Sequence, residues 1–153
     1  MNTVWSDMEV HTSRFGLVEC AGDDVIRFAE GLPGLAECHD WVILTDAQQD
    51  AVAWLQSLRR PEVALALVSP RRFVAGYQLR VARRELEPLR LDSLQTAQVL
   101  AIVSRSERGL TLNLKAPLVV NPLRRLGRQV IANRDAPLQY ELTHDPGILR
   151  KTA

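Results

Sequence analysis

Lysine is nearly absent from this sequence, with two lysines against seventeen arginines. That bias suggests a genome rich in G and C, in which arginine replaces lysine on ordinary surfaces. Cysteine is scarce as well, with only Cys20 and Cys38. Two cysteines without an export signal argue against a disulfide framework, and free buried thiols are expected. Cys20 falls in the strand-like run Leu17-Val18-Glu19-Cys20-Ala21, where it acts as a small hydrophobe. Aromatic residues make up 5% of the chain. Uncharged runs such as Ala116–Leu123 are far too short to cross a bilayer. Met1–Asp7 has neither a basic n-region nor an apolar h-region, so no signal peptide is read and a cytosolic protein is expected.

Catalytic motifs are lacking too. There is no nucleophile elbow, phosphate loop, dinucleotide fingerprint or zinc-protease helix. His11, His39 and His144 with the two cysteines do not show the short ligand spacing of structural zinc. Cys38 and His39 are adjacent and cannot both point inward from a regular strand. Asp23-Asp24 beside Gly22 reads as turn chemistry, not as a general acid/base pair. No enzyme, cofactor or metal site is expected.

What is present is an ordinary globular composition, 46% apolar and 24% charged over 153 residues. That suits one domain spanning 1–153, with a flexible tail from about residue 143. The charge is unevenly spread. Residues 1–50 hold ten Asp/Glu and two Arg, a net of −8, whereas residues 51–153 hold eight Asp/Glu and seventeen Arg/Lys, a net of +9. Either the halves interleave and cancel, or the molecule carries a field that orients a charged partner.

Turn signals recur along the chain, from Arg14-Phe15-Gly16 and Gly31-Leu32-Pro33-Gly34 to Asn121-Pro122 and Asp145-Pro146-Gly147. Short runs rich in Val, Ile and Leu lie between them, so an all-β, compact antiparallel barrel-like domain of about ten short strands is expected. Met8–Thr12 and Leu17–Ala21 form a hairpin in this reading. Val25–Phe28, Trp41–Leu44, Val52–Ser57, Val63–Val68, Tyr77–Val81 and Val99–Ser104 follow as strands. Leu110–Lys115, Leu118–Asn121, Arg128–Ala132 and Leu138–Leu142 complete them. Helix is confined to single turns at Leu35–His39 and Asp92–Ala97, the latter capped by Asp92 or Ser93. Arg83–Leu89 has helical charges, but Pro88 disfavours continuing it.

Arginine pairs occur at Arg59-Arg60, Arg71-Arg72, Arg83-Arg84 and Arg124-Arg125, with Arg128 close by. Guanidinium forks grip phosphates, so a small RNA-binding barrel is the alternative reading. The nearby aromatics Trp54, Phe73 and Tyr77 sit at core-like positions. A stacking platform is therefore missing, and no direct nucleic-acid binding is expected.

Four segments together carry a family resemblance. They are Phe15-Gly16 through Val25-Ile26-Arg27-Phe28-Ala29-Glu30-Gly31-Leu32-Pro33-Gly34-Leu35; Trp54-Leu55-Gln56-Ser57-Leu58-Arg59-Arg60-Pro61-Glu62-Val63-Ala64-Leu65, running on to Ser69-Pro70; Thr111-Leu112-Asn113-Leu114-Lys115-Ala116-Pro117-Leu118-Val119-Val120-Asn121; and Gly127-Arg128-Gln129-Val130-Ile131. In this order and spacing, over about residues 11–131, the chain resembles the flagellar assembly factor FliW family. The resemblance implies a cytosolic bacterial protein, expected here as a monomer, with two protein partners. These are flagellin, bound before export, and CsrA, a small RNA-binding regulator that represses translation of flagellin message. Secretion of flagellin frees the factor to capture and antagonise CsrA. Family members tend to be acidic, which suits a basic partner; in this chain only the first third is.

Among the motif residues, Gly31-Leu32-Pro33-Gly34 reads as a type II turn, with Leu32 and Pro33 as partner contacts if its tip is exposed. Gln56 and Asn113 are expected to satisfy buried backbone groups, and Gly127 belongs with them as a structural motif residue. Pro117 interrupts a strand and belongs at an edge or bulge. That makes Lys115–Asn121, through Lys115, Ala116, Pro117 and Asn121, the expected edge for β-addition by a partner.

Overall fold

The computed structural model describes residues 8–46, 48–107, 109–133 and 135–142. Met8–Thr12 (β1) and Gly16–Cys20 (β2) form a two-stranded sheet of their own. The other strands are Val25–Arg27 (β3), Asp40–Asp46 (β4), Gln49–Ser57 (β5), Ala64–Val68 (β6), Gln98–Ser106 (β7), Gly109–Leu112 (β8), Leu118–Asn121 (β9), Leu126–Gln129 (β10) and Tyr140–Glu141 (β11). Pairing runs β7-β6-β5-β4-β3-β10-β9 and returns from β9 to β7, closing a seven-stranded barrel. Only β3 and β10 run parallel. Beyond the ring, the far end of β7 pairs with β8, and β8 with β11.

Period-two alternation explains how the barrel holds itself together. Ile26, Phe28, Trp41, Leu55, Leu67, Leu118 and Val120 fill the interior, with Ile43, Leu65, Leu100 and Ile102 packed against them. Each fully buried side chain of this size contributes roughly 1.5–3 kcal/mol of burial. The alternate residues face outward into three covered patches. The β1–β2 hairpin lays Val10 and Cys20 over Val25 and Val42. Phe15, Phe73, Tyr77 and Tyr140 pack on the Val52, Trp54, Ala66 and Ala101 surface. Leu79, Val81, Leu86 and Leu89 cover Val119 and Val130. Both cysteines are free and buried.

Several elements differ from the sequence-based expectation. Tyr77–Val81 is not a strand; Val81 makes one isolated bridge to Ala132, and Leu79 and Val81 pack flat on the outside of the barrel. The ring is already closed there, so its strands offer this alternating segment no free ladder. Arg128–Ala132 begins earlier, at Leu126, and after Gln129 continues through single bonds from the Val130 N–H to the Pro117 carbonyl and from the Ala132 N–H to the Lys115 carbonyl. Leu110–Lys115 shortens to Gly109–Leu112, and Leu138–Leu142 to Tyr140–Glu141. Leu35–His39 is a chain of turns, not a helix. Arg83–Leu86 (α1) gives way to a 3-10 turn at Glu87–Leu89, where Pro88 ends the α-helical pattern. A second 3-10 turn at Leu94–Thr96 is capped by Ser93, whose side chain accepts the Gln95 N–H. The tail from residue 143 lies outside the described residues.

Candidate partner-binding surface

The Gly31–Gly34 turn is built as its residues require. Gly31 and Gly34 have φ of +66° and +79°, and the Leu35 N–H donates to the Leu32 carbonyl at 2.8 Å. A Cβ on Gly31 would lie 2.9 Å from the Ala36 backbone, so only glycine fits. The exposed-tip reading of Leu32 is corrected: its side chain is 4% exposed and belongs to the barrel core. Pro33 alone of that pair faces solvent. The turn puts leucine inward because the barrel interior needs an apolar plug there, next to Phe28 and Cys38.

The edge expected at Lys115–Asn121 is likewise corrected. Leu118–Asn121 pairs with β10 on one side and β7 on the other, and all four residues are buried. Ala116 and Pro117 are buried too, and the Lys115 Nζ donates to the Ala132 carbonyl. Asn113 explains the interruption: its Oδ1 accepts the Lys115 and Ala116 N–H groups at 3.1 and 2.9 Å, bridging β8 to β9 where Pro117 breaks the ladder. Buried Asn121 donates through Nδ2 to the Leu89 carbonyl at 2.8 Å and accepts the Leu123 N–H. Gln56, fully buried, donates to the Ser57 and Pro61 carbonyls. Gly127 lies against the Phe28 ring. These residues hold the barrel together.

What the structure leaves open is the β1–β2 hairpin. Its inner face is Met8, Val10, Val18 and Cys20; its outer face sets Glu9 directly opposite Glu19, and His11 opposite Leu17. Asp23 and Asp24, also exposed, follow β2 in a 3-10 turn, where the Asp24 carboxylate accepts the Ala21 N–H. Among the described residues neither Glu9 nor Glu19 has an ion-pair partner. Like charges placed opposite on two strands destabilise the pair, so this placement calls for a cationic counterpart. The hairpin is pinned at its tip, where Phe15 meets Trp54 edge to face, Arg14 lies over the same indole at 4.4 Å, and the Ser13 N–H donates to the Pro61 carbonyl. Burial pushes the Cys20 thiol up, and the Asp24 carboxylate adds to it. Sequence reading missed this face, although the register was countable: a hairpin closing Thr12 on Gly16 necessarily pairs Glu9 with Glu19.

A model of the FliW protein family matches residues 9–144. The chain belongs to the FliW family of flagellar assembly factors. It is 37% identical over 126 residues to the flagellar assembly factor FliW of Bdellovibrio bacteriovorus, covering 81% of this chain and 72% of that one. It is 30% identical over 140 residues to FliW of Thermoanaerobacter pseudethanolicus, covering 90% and 91%. A crystal structure of the flagellar assembly factor FliW superposes with a TM-score of 0.81 at 28% identity, over 90% of this chain and 99% of that one.

In this FliW-family barrel many arginines act as struts. Arg27 reaches Asp40, Arg60 reaches Glu37 and Glu62, Arg72 reaches Asp50, and Arg128 reaches Glu30 and Glu85. Arg125 donates to the Asp24 and Pro122 carbonyls. Among the described residues no cluster of three or more His, Cys, Asp or Glu is placed to hold a metal ion, and no helix is long and apolar enough to cross a membrane.

Proposed function

We propose that this FliW-family chain is a non-enzymatic, cytosolic, monomeric regulator of flagellar assembly. It binds flagellin and, once flagellin has been exported, binds and antagonises the translational repressor CsrA. The observation that supports this most directly is the acidic hairpin face. Glu9 and Glu19 stand opposite each other with no ion-pair partner among the described residues, Asp23 and Asp24 follow soon after in the chain, and an acidic surface suits a basic RNA-binding protein. These four carboxylates all belong to the acidic first third, whose Glu30, Glu37, Asp40 and Asp50 are paired with arginines within the chain. Pro33, exposed at the mouth of the barrel, and half-buried Lys115 stay as secondary contacts in this reading. The RNA-binding alternative loses support, since Arg27, Arg60, Arg72, Arg125 and Arg128 are engaged within the chain.

The test is a calorimetric titration of the purified protein with its cognate CsrA, with and without cognate flagellin. Saturable binding of each at micromolar concentration is expected, with flagellin displacing CsrA. Absence of heat and of co-elution with both folded partners would overturn the proposal.

A further inference from the structure

We propose that the free edge of β1 takes up an extended segment of a protein partner as an added strand, and that this segment alternates apolar with basic residues. This rests on the reading of the chain as a protein-binding regulator and names how, and by what chemistry, a partner is held.

Closure of the barrel ties up both edges of β9 and β10 and of the ring strands between. The hairpin is outside that ring. β1 pairs with β2 alone, so its other edge presents backbone N–H and C=O groups with no strand partner among the described residues. Beside that edge runs a groove of about 560 Å³. Met8, Glu9, Val10 and His11 all line it. Successive side chains of a strand point to opposite faces, so four consecutive residues lining one groove means that the backbone edge itself forms the wall. The groove runs between β1 and barrel residues that include Arg27, Asp40 and Leu58. At the hairpin tip the Ser13 N–H to Pro61 carbonyl bond, 2.9 Å, ties the two walls together. A strand beside all five residues of β1 would span roughly 17 Å.

The pattern of the occupant follows from the pleat. Residues of an added strand on the inner face would continue the row Met8, Val10 and meet Leu58, on a barrel wall that also carries Arg27, Glu37, His39, Asp40 and Arg59. Residues on the outer face would lie beside Glu9, with Glu19 one strand further. A lysine or arginine there neutralises the like-charge pair that the hairpin leaves uncompensated. The far edge of β2 is also without a strand partner among the described residues, but the groove runs along β1; β11 has an outer edge too, which at two residues is too short to template a strand.

The experiment uses the full chain and a fluorescent synthetic peptide, Val-Lys-Val-Arg-Val, acetylated and amidated. Two further versions are N-methylated at alternate residues, one along each strand edge. Anisotropy should show the parent peptide binding, one methylated version weakened by about tenfold or more, and the other little changed. Amides of Met8–Thr12 should gain protection from hydrogen exchange when the parent peptide is bound. Combining Glu9→Lys with Glu19→Lys should weaken binding by a similar factor, without reliance on a backbone change. Equal binding of both methylated peptides, protection confined to Gly16–Cys20, or no binding of the parent peptide would each overturn the proposal. Flagellin and CsrA are titrated against the same preparation. If they bind and the peptide does not, the edge proposal fails and the partner reading stands. If the peptide binds and neither protein does, the partner reading fails alone.

Discussion

Gly127 shows how tightly single residues are specified here. A Cβ at this position would overlap the Phe28 ring, which is itself fully buried against Trp41. Gly127→Ala should therefore cost about 1–3 kcal/mol by overpacking, measured by urea unfolding, and Phe28→Leu in the same chain should restore part of it. Arg60 sets a different local property. Its Nε donates to Glu62 at 2.7 Å, the main cause of the lowered Glu62 pKa. The Glu37 pKa is lowered first by a hydrogen bond from its own backbone N–H and then by Arg60. A carboxylate whose folded pKa is depressed stabilises the native state above its unfolded pKa, and that contribution is lost as pH falls through the lower folded value. Carbon-13 titration should place both midpoints below the ordinary 4.5, and Arg60→Gln should raise Glu62 more than Glu37. Both carboxylates are on the solvent-exposed surface, so the change should be visible in the titration and slight in the unfolding curve.

At the scale of elements, α1 is attached to the barrel through Arg128 and Glu85, and the 3-10 turn after it through Asn121, which donates to the Leu89 carbonyl. Arg128 Nη1 donates to the Glu85 carbonyl at 2.6 Å and to its carboxylate at 3.1 Å, while Glu85 Oε1 accepts the Ile131 N–H at 2.8 Å. Nη2 reaches Glu30 in the loop after β3. A four-residue helix has no independent stability, so its position depends on this anchor and on Leu86 and Leu89 packing beneath it. Arg128→Leu should cost about 2 kcal/mol. Amides of Arg83–Leu89 should exchange faster, while those of β4 and β5 keep their protection.

On the scale of the whole molecule, charge and closure together decide where a partner can go. The ring ties up its strands' edges, the three outer patches cover most of its apolar faces, and the hairpin keeps both an open edge and an uncompensated acidic face. On the proposed reading, function and stability are opposed at Glu9 and Glu19. Replacing both by glutamine should stabilise the hairpin by roughly 0.2–1 kcal/mol. On that reading the same variant should also weaken CsrA binding and flatten its salt dependence. Paired unfolding and titration curves check both effects; unchanged affinity would separate the acidic face from the partner.

Much of this was legible in the chain itself. The spacing of turns, the hairpin across Phe15-Gly16, the Gly31–Gly34 turn and most of the strands follow from local chemistry, because glycine, proline and side-chain alternation act within a few residues. The family motifs of Gln56 and Asn113 mark residues that bond backbone close by. Tertiary structure alone decided which strand keeps a free edge and which loop leucine is buried. Lys115–Asn121 looks like an edge because of Pro117, yet ring closure places β7 and β10 on either side of its strand. Leu32 looks exposed at a turn tip, yet the barrel mouth takes it as a plug. The acidic hairpin with which the charge count began gains its meaning the same way. Composition places the negative charge in the first third of the chain and the hairpin turn sets Glu9 against Glu19, but only the folded barrel leaves that pair without an ion-pair partner among the described residues. Local forces choose the elements, whereas closure of a sheet is a long-range event whose partners lie many residues apart.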